Sequence, residues 1–213
     1  MSDRIRDYAQ WHRAYDDPSS RLSRRLRIVQ QHLRRAVEER AGRIRLISMC
    51  AGEGRDVIGA LAGHPRRRDV ESLLVEIDQG LAATARQRAR VARLDAVNVR
   101  CADGAITDAY EAGVPADIVL ACGVFGNISD VDIRNTVEWL PSLCARGATV
   151  IWTRGGEPGH DMAPTIREWF GAAGFEEVAY ESPPGETFRV GVHRLVAPPR
   201  PFERGVRLFT FIR

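Results

Sequence analysis

The chain of 213 residues predicts an α/β protein: a seven-stranded, mostly parallel sheet that closes with an antiparallel hairpin and carries helices on both faces. Three observations predict it. From residue 44 onward, short apolar or β-branched runs alternate with helical patterns, the order that parallel strands and their covering helices require. The last two apolar runs are joined by "APPRPFERG", which is too short for a helical crossover, so these two strands should pair antiparallel. A content of 44% hydrophobic and 28% charged residues suits one globular core of ordinary size.

The expected strands are "RIRLISMC" (43–50), "SLLVEID" (72–78), "AVNVRCA" (96–102), "ADIVLACG" (116–123), "ATVIWTR" (148–154), "FRVGVHRLV" (188–196) and "VRLFTFI" (206–212). Helices are expected over 56–62, 79–93, 105–112, 130–144 and 161–173, the last ending on Gly174 as a C-cap. Ahead of the sheet, Asp17-Pro18 reads as an N-cap and first helical residue. Leu22, Leu26, Val29, Leu33 and Val37 then recur at three- and four-residue steps and give one apolar stripe, which must pack on something. Residues 1–42 are therefore expected to form a helical extension or lid, and residues 43–213 the main domain.

All 31 basic residues are arginine, and the chain has no lysine. A Walker-type phosphate loop, a pyridoxal enzyme and a Schiff-base aldolase each need a lysine, so all three classes are excluded. Residues 1–45 hold twelve arginines against six acids. That gradient can attract anions, but an arginine bias running through the whole chain is better explained by coding composition. Cys50, Cys101, Cys122 and Cys144 have no paired spacing and the five histidines are scattered, so no metal site is expected and the thiols read as reduced and mostly buried. No apolar run approaches the ~20 residues of a membrane span and the N-terminus lacks the apolar centre of a secretory signal, so a cytoplasmic protein with no membrane partner is expected.

In an open α/β sheet, ligands settle beyond the carboxyl ends of the strands, so the residues ending each strand carry the chemistry. The first strand runs into Cys50-Ala51-Gly52-Glu53-Gly54, whose glycines permit a tight turn and close approach of a ligand to bare backbone. The second ends at Asp78, where a carboxylate can accept hydrogen bonds from both hydroxyls of a ribose; Glu76 points to the same face but farther down the strand, and Asp78 is preferred. The third ends in Ala102-Asp103-Gly104, offering an acceptor to the exocyclic amine of adenine. The fourth ends in Cys122-Gly123, small enough for a flat ring to lie over them. A strand-end aspartate is also a common helix cap, so each feature has a structural alternative.

Taken in order and spacing, "LISMCAGEGRD", "LLVEIDQGLAATAR", "VRCADG" and "ADIVLACGVFGNI" resemble the cofactor motifs of class I S-adenosylmethionine (SAM)-dependent methyltransferases over roughly residues 44–213. The "CAGEGRD" turn and "CGVFGNISD" loop also resemble those of a group of bacterial methyltransferases, a likeness that implies no particular acceptor. The resemblance implies a Rossmann-like seven-stranded sheet, SAM as cofactor, and a cofactor site formed by Ser48, Cys50, Ala51, Gly52, Gly54, Asp78, Gln79, Asp103, Gly104, Cys122 and Gly123. Two positions depart from the pattern: Ser48 stands where an acid often opens the first motif, and Cys50 where the first glycine is usual. Val57 blocks the close helix approach that a third glycine would give a pyrophosphate, whereas an adenosyl sulfonium has no phosphate to place.

Methyl transfer is an in-line displacement that needs alignment more than a base. The loop "GVFGNISDVD" (123–132) offers Phe125 as an apolar wall and Asn127 as a polar anchor for a small-molecule acceptor. "WHRAYDD" (11–17) places Trp11, His12 and Tyr15 where a lid would fold over the cleft, with His12 the candidate general base. "TRGGEPGHD" (153–161) brings Arg154 and His160 to the same rim, Arg154 as a partner for a substrate carboxylate or phosphate. Two other functions share part of this pattern: an NAD(P)-dependent oxidoreductase, from the glycines and Asp78, and a methyltransferase-fold nucleic-acid-binding module, from the N-terminal arginines. No aromatic-interleaved basic patch or nucleic-acid motif supports the latter, so nucleic acid is not an expected partner.

Overall fold

The computed structural model describes residues 13–156 and 161–212. Its seven strands are β1 (Ile44–Ser48), β2 (Val70–Glu76), β3 (Val97–Cys101), β4 (Ala116–Ala121), β5 (Cys144–Gly155), β6 (Phe175–Glu181) and β7 (Phe188–Leu195). They form one sheet in the order β3-β2-β1-β4-β5-β7-β6. Strands β1 to β5 are parallel, and β7 enters antiparallel between β5 and β6. Strand order reverses at the β1/β4 boundary, which places a crevice at the carboxyl ends of these two strands.

The expected closing hairpin is present, but with different strands. Residues 206–212 do not form a strand: they make isolated bridges at Ile106↔Arg207 and Ile128↔Phe211 and cross the loops that follow β3 and β4. Their apolar content is explained by Leu208 and Phe209, both buried against those loops. β7 instead pairs with β6, "FEEVAYE", an edge strand whose side chains from Glu176 to Val178 are exposed. An edge strand with polar side chains on both faces lacks the alternation by which strands are read from sequence.

Among the described residues, five α-helices cover the sheet: α1 (Arg21–Glu38), α2 (Arg55–Leu61), α3 (Gln79–Val91), α4 (Asp130–Leu143) and α5 (Ala163–Ala172). The expected helix over 105–112 is a short 3-10 helix at Thr107–Gly113. α1 starts three residues later than the Asp17-Pro18 reading. The Asp17 carboxylate is taken by the Ser19 N–H and hydroxyl at 2.8 and 2.7 Å, and the cap is Ser20, whose oxygen accepts from Ser23 N at 3.1 Å.

The apolar stripe of α1 is part of the main core. Val29, Leu33, Ala36 and Val37 pack with Ile44, Leu46, Val57, Leu61, Ile118, Ile151 and Val190 on one face of the sheet, and fully burying a valine or leucine contributes about 1.5–3 kcal/mol. Polar ties add to this packing: His32 Nε2 lies 3.1 Å from Glu181 Oε1, Arg24 pairs with Glu186, and Arg34 reaches the Ala60 and Gly59 carbonyls at 3.1 and 2.7 Å. On the other face, α4 and α5 pack with Tyr110, Phe125, Trp152, Leu208 and Phe209. Among the described residues, no helix is long and apolar enough to cross a membrane.

At the centre of this second core, the ring of His193 stacks on Phe170 with 4.4 Å between centroids, and its Nδ1 accepts from Trp152 Nε1 at 3.1 Å. Burial pushes its pKa down to about 4, against the opposing pull of Glu177, whose carboxylate lies 3.8 Å from Nε2. The unfolded chain therefore accepts a proton that the folded chain refuses between its ordinary value near 6.5 and about 4. Stability from this group is complete above pH 6.5 and is lost as the pH falls through that window. Urea unfolding should register a loss on the order of 2 kcal/mol between pH 7 and 4.5, and His193→Gln should flatten this part of the profile.

Candidate functional site

The site is built on the tips of β1, β2, β3 and β4. After Ser48, the buried last residue of β1, the chain turns sharply at Cys50, whose φ of +48° lies in the left-handed region. Cysteine adopts this region at a cost of roughly 1–2 kcal/mol. Gly52 (φ +55°) and Gly54 (φ +69°) complete the turn without that cost. Gly54 also serves packing, because a Cβ there would stand 2.8 Å from Leu74 Cδ2 and 2.9 Å from Ile58 Cδ1. The Ala51 N–H donates to the Val75 carbonyl at 2.8 Å, and the Gly54 N–H to the Ala51 carbonyl at 2.8 Å.

The carboxylate that closes this turn belongs to Glu76. It is 7% exposed, with Oε2 accepting from Gly52 N at 2.7 Å and Oε1 from Asp78 N at 2.9 Å. One side chain thus joins the glycine turn after β1 to the end of β2. Asp78, preferred over Glu76 from the sequence, fills the structural alternative instead: it is exposed, and its Oδ1 caps α3 by accepting from Leu81 N at 2.8 Å. One residue, Ile77, lies between them. Glu76 is the last paired residue of β2 and faces the turn, while Asp78 already has the backbone of a helix start. Gln79, the first residue of α3, is exposed.

On the β3 side, Asp103 is partly buried; its Oδ1 accepts from Ala105 N at 2.9 Å and its Oδ2 faces Arg207 at 3.5 Å. Gly104 is buried below it, where a Cβ would meet the Tyr110 hydroxyl at 2.9 Å and Cys50 Sγ at 3.1 Å. The Tyr110 hydroxyl donates to the Gly104 carbonyl. Cys50, Gly104 and Tyr110 therefore make one floor beneath Glu76 and Asp103. Burial, with Glu76 and Asp103 adding to it, pushes the Cys50 thiol far up, so it stays protonated and is no nucleophile. Ile77, 62% exposed between Glu76 and Asp78, presents an apolar side chain beside these acids.

On the β4 side, Cys122 lies beside the turn, its Sγ toward the Ile151 carbonyl at 3.8 Å, and burial together with Asp56 pushes its thiol well up. Gly123 (φ +84°) donates its N–H to Thr153 Oγ1 at 2.9 Å, and nothing lies within 4 Å of where its Cβ would be. Of the acceptor-side residues, Phe125 is fully buried in the core with its ring 6.0 Å from Trp152, so it is not a wall of the cleft. Asn127 is also buried and donates from Nδ2 to the Gly123 carbonyl at 2.6 Å, bracing its own loop. Arg154 is turned inward: it donates to the Phe125 carbonyl and lies 3.9 Å from Asp130. Trp11, His12 and His160 lie outside the described residues.

Tyr15 is brought to the site. Residues 13–16 form a single 3-10 turn tied to α1 by Ser23 Oγ to the Tyr15 carbonyl at 3.1 Å. The Tyr15 hydroxyl accepts from Arg25 at 2.8 Å, and Arg55 lies over its ring at 5.2 Å while pairing with Asp16 at 3.0 Å and Glu53 at 2.6 Å. Sequence reading ranked Glu76 behind Asp78 and did not single out Tyr110, Arg25, Asp56 or Thr153, which the structure brings to these strand tips. Asp56 and Thr153 stand in motifs already singled out, whereas nothing separates Arg25 from the other thirty arginines.

No protein-family model matches the chain, and no curated protein matches it in sequence. Solved structures do match in fold. A magnesium protoporphyrin IX methyltransferase (ChlM) from Synechocystis PCC 6803 with bound SAM aligns at a TM-score of 0.65 and 16% identity, over 89% of this chain and 91% of that one. The carbon methyltransferase CurJ aligns at 0.71 and 15% identity, over 90% of this chain and 59% of its own. An O-methyltransferase family protein from Burkholderia thailandensis aligns at 0.61 and 15% identity, over 92% and 64%. The sheet is thus the Rossmann-like sheet of methyltransferases, with its antiparallel C-terminal strand.

The capping role of Asp78 has a measurable consequence. Asp78→Ala should cost about 0.5–2 kcal/mol of stability through loss of the N-cap, read as a lower midpoint in urea at unchanged slope.

Proposed function

We propose that the protein is a SAM-dependent methyltransferase acting on a small-molecule acceptor. The observation that carries this reading is the Glu76 carboxylate seated on the glycine turn. It occupies the Gly52 N–H, and the Gly54 N–H is spent on the Ala51 carbonyl. A pyrophosphate would meet a carboxylate where it needs free amide donors, so the dinucleotide reading loses its anchor. An adenosyl sulfonium brings no phosphate, and its nucleoside has hydroxyl and amine donors for Glu76 and Asp103. ChlM with bound SAM, and the same enzyme with bound SAH (S-adenosylhomocysteine), support the reading at the level of fold.

In this reading, Glu76 takes the ribose hydroxyls that the sequence alone gives to Asp78. Asp103 accepts from the adenine amine, and Ile77 and Ala102 lie against the ring. Cys50 and Gly104 form the floor. Cys122 and Gly123 line the way toward the reacting carbon, where the space over Gly123 leaves room for it. The bound cofactor supplies an electrophilic methyl group on a positively charged sulfur. The chain's part is to fix the cofactor on rigid strand tips, hold the acceptor in line and exclude water, and such alignment can supply about 7–11 kcal/mol. Thr153 and Arg154 brace the loop 123–130 against β5 through the Gly123 N–H and the Phe125 carbonyl, which keeps the acceptor side preorganised. With Phe125, Asn127 and Arg154 spent on that bracing, they act on the acceptor through the shape of the loop.

Isothermal titration separates the alternatives. SAM and SAH should bind and NAD should not; tight NAD binding without SAM binding would reverse the assignment. Loss of a charged acceptor shared by two hydroxyls costs about 1.5–3 kcal/mol per hydrogen bond, so Glu76→Ala should weaken SAH by about 100-fold or more. Asp78→Ala, though less stable, should bind SAH within about threefold of the parent protein, since a few tenths of a kcal/mol separate the two.

A further inference from the structure

The three helices on one face of the sheet leave a groove between them. α2 has seven residues against eighteen in α1 and thirteen in α3, so its longer neighbours stand as walls and α2 becomes the floor. The groove encloses about 410 Å³, within the range of about 300–1,000 Å³ usual for small-molecule sites. Glycine is required at 59 on the floor, because a Cβ there would collide with the amide of Gln30, whose Nε2 donates to the Arg55 carbonyl at 2.9 Å. Leu26 from α1, Ile58 and Ala62 from α2, and Val91 and Ala92 from α3 make the lining mostly apolar. Val91 is 73% exposed there. At a rise of about 1.5 Å per residue α2 is about 10 Å long, which is less than two turns of a helix laid along it. That length suits a short chain better than a helical peptide.

One end of the groove is charged. Arg55 and Arg88 line it together with Gln30 and Gln87, and among the described residues no acid does. Both arginines meet Glu53, Arg55 through Nε at 2.6 Å and Arg88 through Nη2 at 3.0 Å, while Arg55 also holds Asp16 at 3.0 Å. Arg55 thus has two carboxylates and Arg88 a share in one. Among the described residues the buried Arg88 Nε has no hydrogen-bond partner, and an unanswered guanidinium N–H carries a desolvation cost that an acceptor removes. The Arg88 side chain as a whole is 40% exposed, which allows its fork to turn onto an anion in the groove.

We propose that this groove is a binding site for a carboxylate with a short apolar chain, the carboxylate on Arg88 and the chain along α2 toward Ala62 and Val91. The site is separate from the cofactor reading and does not depend on it. It accounts for an exposed valine beside a glycine floor, and for an arginine whose Nε lacks an acceptor within the fold. The ligand carboxylate competes for Arg88 with Glu53, the residue between Gly52 and Gly54. Removing the Glu53 charge therefore favours the ligand, and removing the Arg88 charge disfavours it.

The test titrates octanoate, 1-octanol and acetate into the full chain and follows backbone amide shifts by two-dimensional NMR. Octanoate should move the Gly59, Ala62, Val91 and Ala92 amides along one saturating curve. 1-Octanol should move the same amides with about tenfold lower affinity, for want of the charge-assisted bond to Arg88, and acetate, which has no chain, should give no saturable shift. Arg88→Met should weaken octanoate by about tenfold and 1-octanol by less than about threefold, whereas Glu53→Gln should tighten octanoate. Ala62→Phe, a change at an exposed position, should fill the groove and remove both ligands. If Arg88→Met melts below the assay temperature, Ala62→Phe and the difference between octanoate and 1-octanol carry the test. Equal affinity for these two probes, shifts centred on Gly52 and Gly123 in place of the groove, or indifference to both Arg88→Met and Ala62→Phe overturns the site. SAH titrated into the same samples reports on the cofactor reading separately.

Discussion

The candidate site depends on one carboxylate. Glu76 is the last residue of β2, yet its two oxygens accept from the Gly52 N–H of one turn and the Asp78 N–H of the next. A buried carboxylate is tolerated only when its lone pairs are answered, and here backbone donors that a tight turn leaves unpaired provide the answer. The exchange fixes three things together: the path of the glycine turn, the point at which β2 ends, and the start of α3 on Asp78. The left-handed backbone at Cys50 follows, because the chain must reverse within a few residues to bring the Gly52 amide onto Glu76. Gly104 follows in turn, since a side chain there would press on Cys50 Sγ and the Tyr110 hydroxyl.

Both ends of the described chain converge on the same edge of the sheet. The 3-10 turn at residues 13–16 is held over the glycine turn by Arg25 and Arg55. The C-terminal segment crosses from the loop after β3 to the loop after β4: Leu208 N donates to the Ala105 carbonyl at 2.7 Å and Ile212 N to the Asn127 carbonyl at 2.9 Å. Asn135 and Thr136 of α4 hold the Leu208 carbonyl from the other side, at 2.7 and 3.2 Å. Loops placed in this way carry function on a rigid scaffold. Here the scaffold includes segments that are far apart in sequence, which makes the loop positions a property of the whole fold.

The sheet was legible from sequence wherever burial imposes a pattern. β1, β2, β4 and β5 are buried on both faces and read as continuous apolar runs, and the motifs at their ends fall at the strand tips that form the candidate site. β6 was not legible, because an edge strand answers to its backbone partner more than to a core. The segment 206–212 misled for the converse reason: Leu208 and Phe209 bury apolar surface without entering a ladder. Within the site, Asp78 and Glu76 differ by two residues and by no compositional signal; what separates them is where β2 ends, and element boundaries are set by tertiary hydrogen bonds that local pattern does not contain. The arginines teach a related lesson. Arg24, Arg34 and Arg40 of the basic N-terminal stretch are engaged with Glu186, the Gly59 and Ala60 carbonyls, and Asp117. Their charge is engaged by partners within the chain.

The same geometry bears on turnover in the proposed reaction. In the proposed reaction Glu76 and Asp103 face the nucleoside, while Arg207 faces Asp103 at 3.5 Å and Asp78 caps α3. A donor with a positively charged sulfur enters a cleft whose strand tips are acidic, and leaves it as a neutral thioether. Coulombic attraction at an effective dielectric near 20 amounts to a few kcal/mol at contact and falls with distance. That attraction is present before transfer and absent after it, so acidic strand tips favour entry of the donor and exit of the product. The nucleoside contacts are common to both states and contribute affinity without discrimination. Discrimination then resides in charge at the sulfur, and the thiols of Cys50 and Cys122, held neutral by burial, preserve that contrast by adding no charge of their own.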